Sequence, residues 1–364
     1  MFKFNAGAMR PARDGARRWR FADANDLVRR TLARHGLMPD ALNKQADVMH
    51  PPVRTPPAKH SGLQAHRSSQ AKATRRFPST AEIRQDQFDC DAGSRSFRTY
   101  VPSSAARGVT GVVVMLHGCT QTPEDFAAGT GMNGLAEEHG FVVIYPQQSR
   151  GNNAQSCWNW FSRGDQRRGR GEPAILAGLA LKAAVEHGVA RDRTFVAGLS
   201  AGAAMAVILG ETYPDVFSAV GAHSGLPFGA ASNVPSAFAA MAGRDRPLAV
   251  SPGNASPVRT IVFHGTTDST VHPVNGERIA GDIIARSSEP TIESVEQGSG
   301  GGRSFERKIT TTAEGRTKLE HWIVDGLGHA WSGGRAEGSY TDPRGPDASS
   351  EMIRFFFTTP DQDI

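Results

Sequence analysis

A chain of 364 residues with 38% hydrophobic side chains can bury a core of ordinary size, as one large domain or two small ones. Its net charge of +5 is unevenly spread: residues 1–80 hold 16 Lys/Arg against 5 Asp and no Glu, leaving 25 basic and 31 acidic groups in residues 81–364. A basic excess so local, without aromatic interleaving or zinc-ligand spacing, argues against a nucleic-acid binder.

The chain opens with "MFKFNAGAMRPARDGARRWRF", basic but lacking the apolar stretch of about 7–15 residues that a secretory signal carries. No run of about 18 apolar residues follows anywhere, so no membrane span is expected. Within residues 1–80, "ANDLVRRTLARHGLM" (24–38) has the spacing of one short helix, with Leu27, Val28 and Leu32 on one side. The Pro-, Ser- and Arg-rich stretch after it is expected to stay unstructured, as a solvated tail or a docking segment for an acidic or granule surface. The chain thus divides into an extension, residues 1–80, and a folded domain, residues 81–364.

From about residue 85 the pattern changes. "RSFRTYVPS" alternates like a strand, while "GVVVMLHG" (111–118) and "GFVVIYP" (140–146) are continuously apolar, as in strands buried on both faces. Between them "MNGLAEEHG" reads as a helix closed by Gly140. "EPAILAGLALKAAVEHGV" (172–189) is a strong helix, with Glu172 in its first turn and Gly188 near its end. Strand "TFVAG", a helix over 201–213, and strands "FSAVGAHSG" and "TIVFHG" (260–265) follow. Helix "NGERIAGDIIAR", a hairpin-like stretch over 303–324 and a final helix "DASSEMIRFFF" complete the chain. Strands alternating with helices predict an α/β fold with a doubly wound, mostly parallel sheet.

Gly198-Leu199-Ser200-Ala201-Gly202 is the one G-x-S-x-G in the chain, set between a β-branched strand and about a dozen helical residues. A turn this sharp strains the serine backbone and tolerates only small residues two positions away. In return it exposes Oγ above the sheet, beside the positive end of a helix. Ser200 is therefore the candidate nucleophile. The α/β-hydrolase order Ser, acid, His filters its partners. Of twelve histidines only His272, His321 and His329 follow a plausible acid. His321 lies in a strand pattern and His272 is four residues past the best acid. His329 stands in the glycine-rich loop "DGLGHAWSGG", free to reach the serine. Asp268 follows the buried strand "TIVFHG" at its carboxyl end, where catalysts of open α/β sheets collect. Asp215 and Asp325 are the alternatives. His329 would take the serine proton and Asp268 would hold its tautomer.

"MLHGCTQTPEDF" supplies a loop whose Cys119 amide, with that of Ala201, would form an oxyanion hole; His117 is expected to hydrogen-bond within the loop. In "NNAQSCWNWFSRGDQRRGRGE", Trp158 and Trp160 would either stack on an apolar ester or cap the core. Trp331 would line the site or anchor its loop. Cys157 is a candidate to bridge Cys119, which would pin the two loops together; three cysteines allow one bridge and a spare thiol. The cluster Arg163, Arg167, Arg168 and Arg170 is expected to be solvated.

These stretches, with "MNGLAEEHGFVVIYPQQ", "GLSAGAAMAVILGETYPDVFSAVGAHSGLPFG", "FHGTTDSTVHPVNG" and "GLGHAWSGGRAEGSYTDPRGPDASSEMIRFF", resemble in order and spacing the polyhydroxybutyrate-depolymerase-type esterases, relatives of the feruloyl and acetylxylan esterases. The resemblance runs from about residue 85 to 358. It implies an α/β-hydrolase domain and serine esterase activity on hydroxyalkanoate or related esters, with no cofactor and no metal. It also implies Ser200, Asp268 and His329 as the triad and Cys119 in the oxyanion loop. The family's habit favours export, whereas the absence of a legible signal favours the cytoplasm. A general short-chain or carbohydrate-linked esterase is the alternative within the class. A granule-associated binding protein with an idle hydrolase fold is the alternative outside it, opposed by the complete set of catalytic parts.

Overall fold

A computed structural model of the chain describes residues 80–244 and 257–358. The helix expected over 24–38 lies outside the described residues.

Twelve strands are described. Ten form one sheet: β1 (Glu82–Cys90), β2 (Gly93–Val101), β3 (Val112–Leu116), β4 (Val142–Pro146), β5 (Thr194–Leu199), β6 (Ala219–His223), β7 (Arg259–Gly265), β8 (Thr291–Gly300), β9 (Arg303–Thr312) and β10 (Thr317–Val324). Their order is β1-β2-β4-β3-β5-β6-β7-β10-β9-β8. From β4 to β10 every pairing is parallel; the two edges are antiparallel. Two short strands, β11 (Trp331–Ser332) and β12 (Thr341–Asp342), pair separately.

Seven α-helices are described: α1 (Pro123–Thr130), α2 (Met132–His139), α3 (Gly171–His187), α4 (Ala201–Thr212), α5 (Val234–Met241), α6 (Val274–Ala285) and α7 (Ala348–Phe357). Side chains on β3 alternate between two cores: Val112, Val114 and Leu116 join α3 to α6 on one face, Val113 and Met115 join α1, α2 and α7 on the other. Both faces are thus covered, which is why β3, β4, β5 and β6 read as unbroken apolar runs.

Among the described residues the elements expected from sequence occur with shifted ends, and six unexpected ones join them: β1, β8, β11, β12, α1 and α5. α1 and α5 are short but well capped: the Thr122 side chain accepts from Asp125 N–H ahead of Pro123, and Asn233 forms a capping box with Ser236. β1 and β8 are edge strands whose mostly exposed side chains leave little apolar alternation to read. Among the described residues no helix is long and apolar enough to cross a membrane.

Candidate active site

Between β5 and α4 the chain turns at Ser200, whose backbone (φ 58°, ψ −119°) lies where non-glycine residues are strained. Sterics explain the flanking glycines. A Cβ on Gly198 would strike the Gly202 backbone and Leu116 O, and one on Gly202 would strike the backbone of Leu116 and His117. The turn is held by Ser200 N–H donating to His223 O at 2.9 Å, at the end of β6. Ser200 itself is half-buried.

Two strands along, β7 ends at Gly265 and delivers Asp268 into a tight turn. Its Oδ1 accepts from the amides of Thr270 (3.0 Å) and Val271 (2.9 Å), while His329 Nδ1–H donates to Oδ2 at 2.8 Å. Burial pushes the carboxyl up, but the charge and hydrogen bond of His329, with help from His264 and the Val271 amide, hold it down at about 2. Donation from Nδ1 leaves the His329 Nε2 lone pair unused by Asp268, the tautomer a general base requires. Among the described residues no hydrogen bond joins Ser200 Oγ to the His329 ring.

What aligns the histidine loop with the serine turn is His223. Its carbonyl holds Ser200, its Nε2 accepts from Ser332 N–H at 3.0 Å, and its ring stacks on Trp331 at 5.1 Å. Burial and the nearby His264 and His329 push His223 down to about 3, so it stays neutral and able to accept. Thr267 clamps the other side, its amide (3.1 Å) and hydroxyl (2.9 Å) both donating to Leu327 O. His264 braces the acid turn, its Nε2–H donating to Val271 O at 2.8 Å. Neither histidine was singled out from sequence; the signal was their place at the carboxyl ends of β6 and β7.

The loop after β3 approaches the serine closely: a Cβ on Gly118 would lie 3.7 Å from Ser200 Cβ. His117 is fully buried, neutral because burial pushes it down to about 4, and bonded within the loop as expected. Ala201, first residue of α4, has an amide with no helical carbonyl four residues back to receive it. Cys119 is joined to Cys157 by a disulfide, and Thr120 N–H donates to Gln155 O at 2.8 Å, so the two loops are tied twice. Cys90 is the free, exposed cysteine among the described residues.

Of the two roles expected for Trp158, Trp160 and Trp331, substrate contact or a place in the core or loop anchor, their burial fits the second: they are 0%, 5% and 1% exposed. Two of them spend their indole N–H inside the protein, Trp158 on His117 O at 3.0 Å and Trp331 on Ser349 Oγ at 3.0 Å. Trp160 packs edge-on against Phe161. The alternative acids are engaged elsewhere: Asp215 pairs with Arg168 at 2.5 Å on the surface, and exposed Asp325 accepts from Thr266 Oγ1 at 3.2 Å. Arg163, Arg167, Arg168 and Arg170 are all exposed, as expected, and Arg168 stays solvated while it pairs. His321 is buried in β10, and His272 Nδ1 accepts from Val274 N–H. Among the described residues no group of three or more His, Cys, Asp or Glu is arranged to hold a metal ion.

A family model described as esterase PHB depolymerase matches residues 95–289, a stretch that contains Ser200 and Asp268 and stops short of His329. Poly(3-hydroxyalkanoate) depolymerase C of Paucimonas lemoignei is 33% identical over 252 residues, 66% of this chain and 60% of that protein. A probable acetylxylan esterase A of Neosartorya fischeri is 30% identical over 192 residues, 48% of this chain and 51% of that one. The chain thus spans between half and three-fifths of the length of these relatives. In architecture it is similar to an acetyl xylan esterase from Aspergillus awamori, with a TM-score of 0.56, 21% identity, and coverage of 76% of this chain and 98% of that one. That likeness shows the α/β-hydrolase fold.

Proposed function

The chain belongs to the esterase PHB depolymerase family; from that premise we propose that it is a carboxylic ester hydrolase that cleaves hydroxyalkanoate esters through Ser200, His329 and Asp268. The observation that carries the reading is the 2.8 Å bond from His329 Nδ1–H to Asp268, at the edge of the sheet where Ser200 emerges. In this reading an ester carbonyl lies between Ser200 and the amides of Cys119 and Ala201. His329 Nε2 takes the Ser200 proton as Oγ attacks, their hydrogen bond closing once substrate is bound. The developing oxyanion accepts from the two amides. Collapse expels the alcohol, which leaves with the proton held by His329, and Ser200 keeps the acyl group. Water then enters by the same path, with His329 again as base, and releases the acid. Asp268 stays ionised throughout and stabilises the imidazolium.

Polymer or oligomer of the hydroxybutyrate type is the substrate favoured by the family and by the Paucimonas lemoignei relative. Acetylated carbohydrate is the second reading, favoured by the acetylxylan esterase relatives. Ser200→Ala is expected to abolish p-nitrophenyl butyrate hydrolysis with the melting temperature retained; turnover surviving in the variant would sink the nucleophile assignment. A rate panel of hydroxybutyrate oligomers, amorphous polymer, feruloyl esters and acetylated xylan separates the two substrates.

A further inference from the structure

Glu172 has no part in the chemistry above, yet it is a buried charge, 3% exposed and paired with an Arg95 that is 7% exposed. Its carboxylate, at the second residue of α3, receives four donors. They are Arg95 Nη2 (2.9 Å), the Asn159 amide (2.7 Å), Asn159 Nδ2 (2.8 Å) and Gln148 Nε2. A pair this deep is a poor stabilising device, because desolvation offsets its attraction and a well-packed apolar pair serves as well. What it does is gather three separate stretches of chain: β2, the loop after β4, and the strap around Cys157.

From that carboxylate two routes lead to Cys119. Gln148 is the first: its backbone N–H donates to His117 Nε2 at 3.1 Å, so the His117 proton sits on Nδ1 and is donated to Gly118 O at 2.8 Å. The Gly118 carbonyl and the Cys119 N–H are opposite ends of one planar peptide, so orienting the first aims the second. Asn159 is the second route. It fixes the strap in which Trp158 Nε1–H donates to His117 O and Cys157 is bonded to Cys119. Gln148 joins both, because its Nε2 also donates to Cys157 O at 2.9 Å.

We propose that Glu172 is a positioning residue, whose carboxylate aims the Cys119 amide at the reacting carbonyl through Gln148–His117 and through Asn159–Cys157. The inference rests on the reading of Cys119 as an oxyanion donor. Losing one such donor typically costs on the order of 10²–10³ in rate, and a donor turned aside loses part of that.

The test uses the full chain, p-nitrophenyl butyrate, and a trifluoromethyl ketone whose serine adduct carries an oxyanion. Glu172→Gln keeps the shape but turns an amide NH2 toward groups that can only donate. It is expected to lower kcat roughly 10- to 100-fold with KM within about twofold, and to weaken the ketone by the same factor. Arg95→Lys, which keeps a cation on the carboxylate, is expected to hold kcat within about threefold of the parent, whereas Arg95→Met is expected to lower it as Glu172→Gln does. A folded Glu172→Gln with a lowered melting temperature but unchanged kcat and ketone affinity overturns the proposal, since that is a merely structural role. Should Glu172→Gln not fold, Asn159→Ala decides: unchanged kcat and ketone affinity again overturn it, and a matched loss of both supports it. Activity surviving in Ser200→Ala would instead bring down the underlying site, so the two failures are told apart.

Discussion

Held by two amides and one imidazole, the Asp268 carboxylate accepts three hydrogen bonds from the protein while it is charged. Asp268→Asn would reverse that logic at one atom, because an amide NH2 facing His329 Nδ1 favours the tautomer whose lone pair points away from the serine. A fall in kcat on the order of 10⁴ is expected, with the fold intact. Stability carries a second signature. The folded pKa lies below the ordinary 3.8, at about 2, so the carboxylate stabilises the fold above about pH 4 and that contribution is lost as pH falls through about 2. The difference in melting temperature between parent and Asp268→Asn should therefore shrink between about pH 5 and pH 2. A difference that stays constant over that range would show that the acid is not held as described.

Among the elements, the loop after β3 is held largely from outside itself. It is tied by the Cys119–Cys157 disulfide, by the strained Thr120 (φ 68°) bonded to Gln155, and by Gln121, whose Nε2–H donates to Asp125 at 2.9 Å. Replacing both half-cystines by serine opens a link of sequence separation 38 and is expected to cost about 2–4 kcal/mol in urea unfolding. Because one half-cystine carries the proposed oxyanion donor, kcat should fall more than KM rises. An unchanged unfolding midpoint together with unchanged kcat would mean the loop is held by its hydrogen bonds alone. Short elements were the hardest to read at this scale. "TPEDF" carries a cap, a proline and an acidic first turn, yet its eight-residue helix is too brief for apolar periodicity to register. β1 and β8 owe their existence to pairing with β2 and β9, a long-range fact that their polar side chains do not announce.

Across the whole molecule, the parallel sheet brings the carboxyl ends of β3, β5, β6 and β7 to one edge, and residues from 117 to 332 meet there. Residues 81–364 are proposed as the catalytic domain. Deleting residues 1–80 is accordingly expected to leave kcat on p-nitrophenyl butyrate within about twofold, since the family match begins at residue 95. A larger loss, measured at equal melting temperature, would place part of the catalytic machinery in the extension.

By itself the sequence determined the fold class and the members of the candidate site, because those follow from local rules. Apolar period, turn sterics and chain order pick out Ser200, Asp268 and His329 without knowing what packs on what. Only the tertiary structure decided which way side chains turn. The three tryptophans face the core, and His223, His264 and Glu172 face the loops that carry the chemistry. The physical reason is that burial and hydrogen-bond partnership are properties of two surfaces meeting. Residue type restricts each surface separately, and the sheet topology alone says which pairs of surfaces meet.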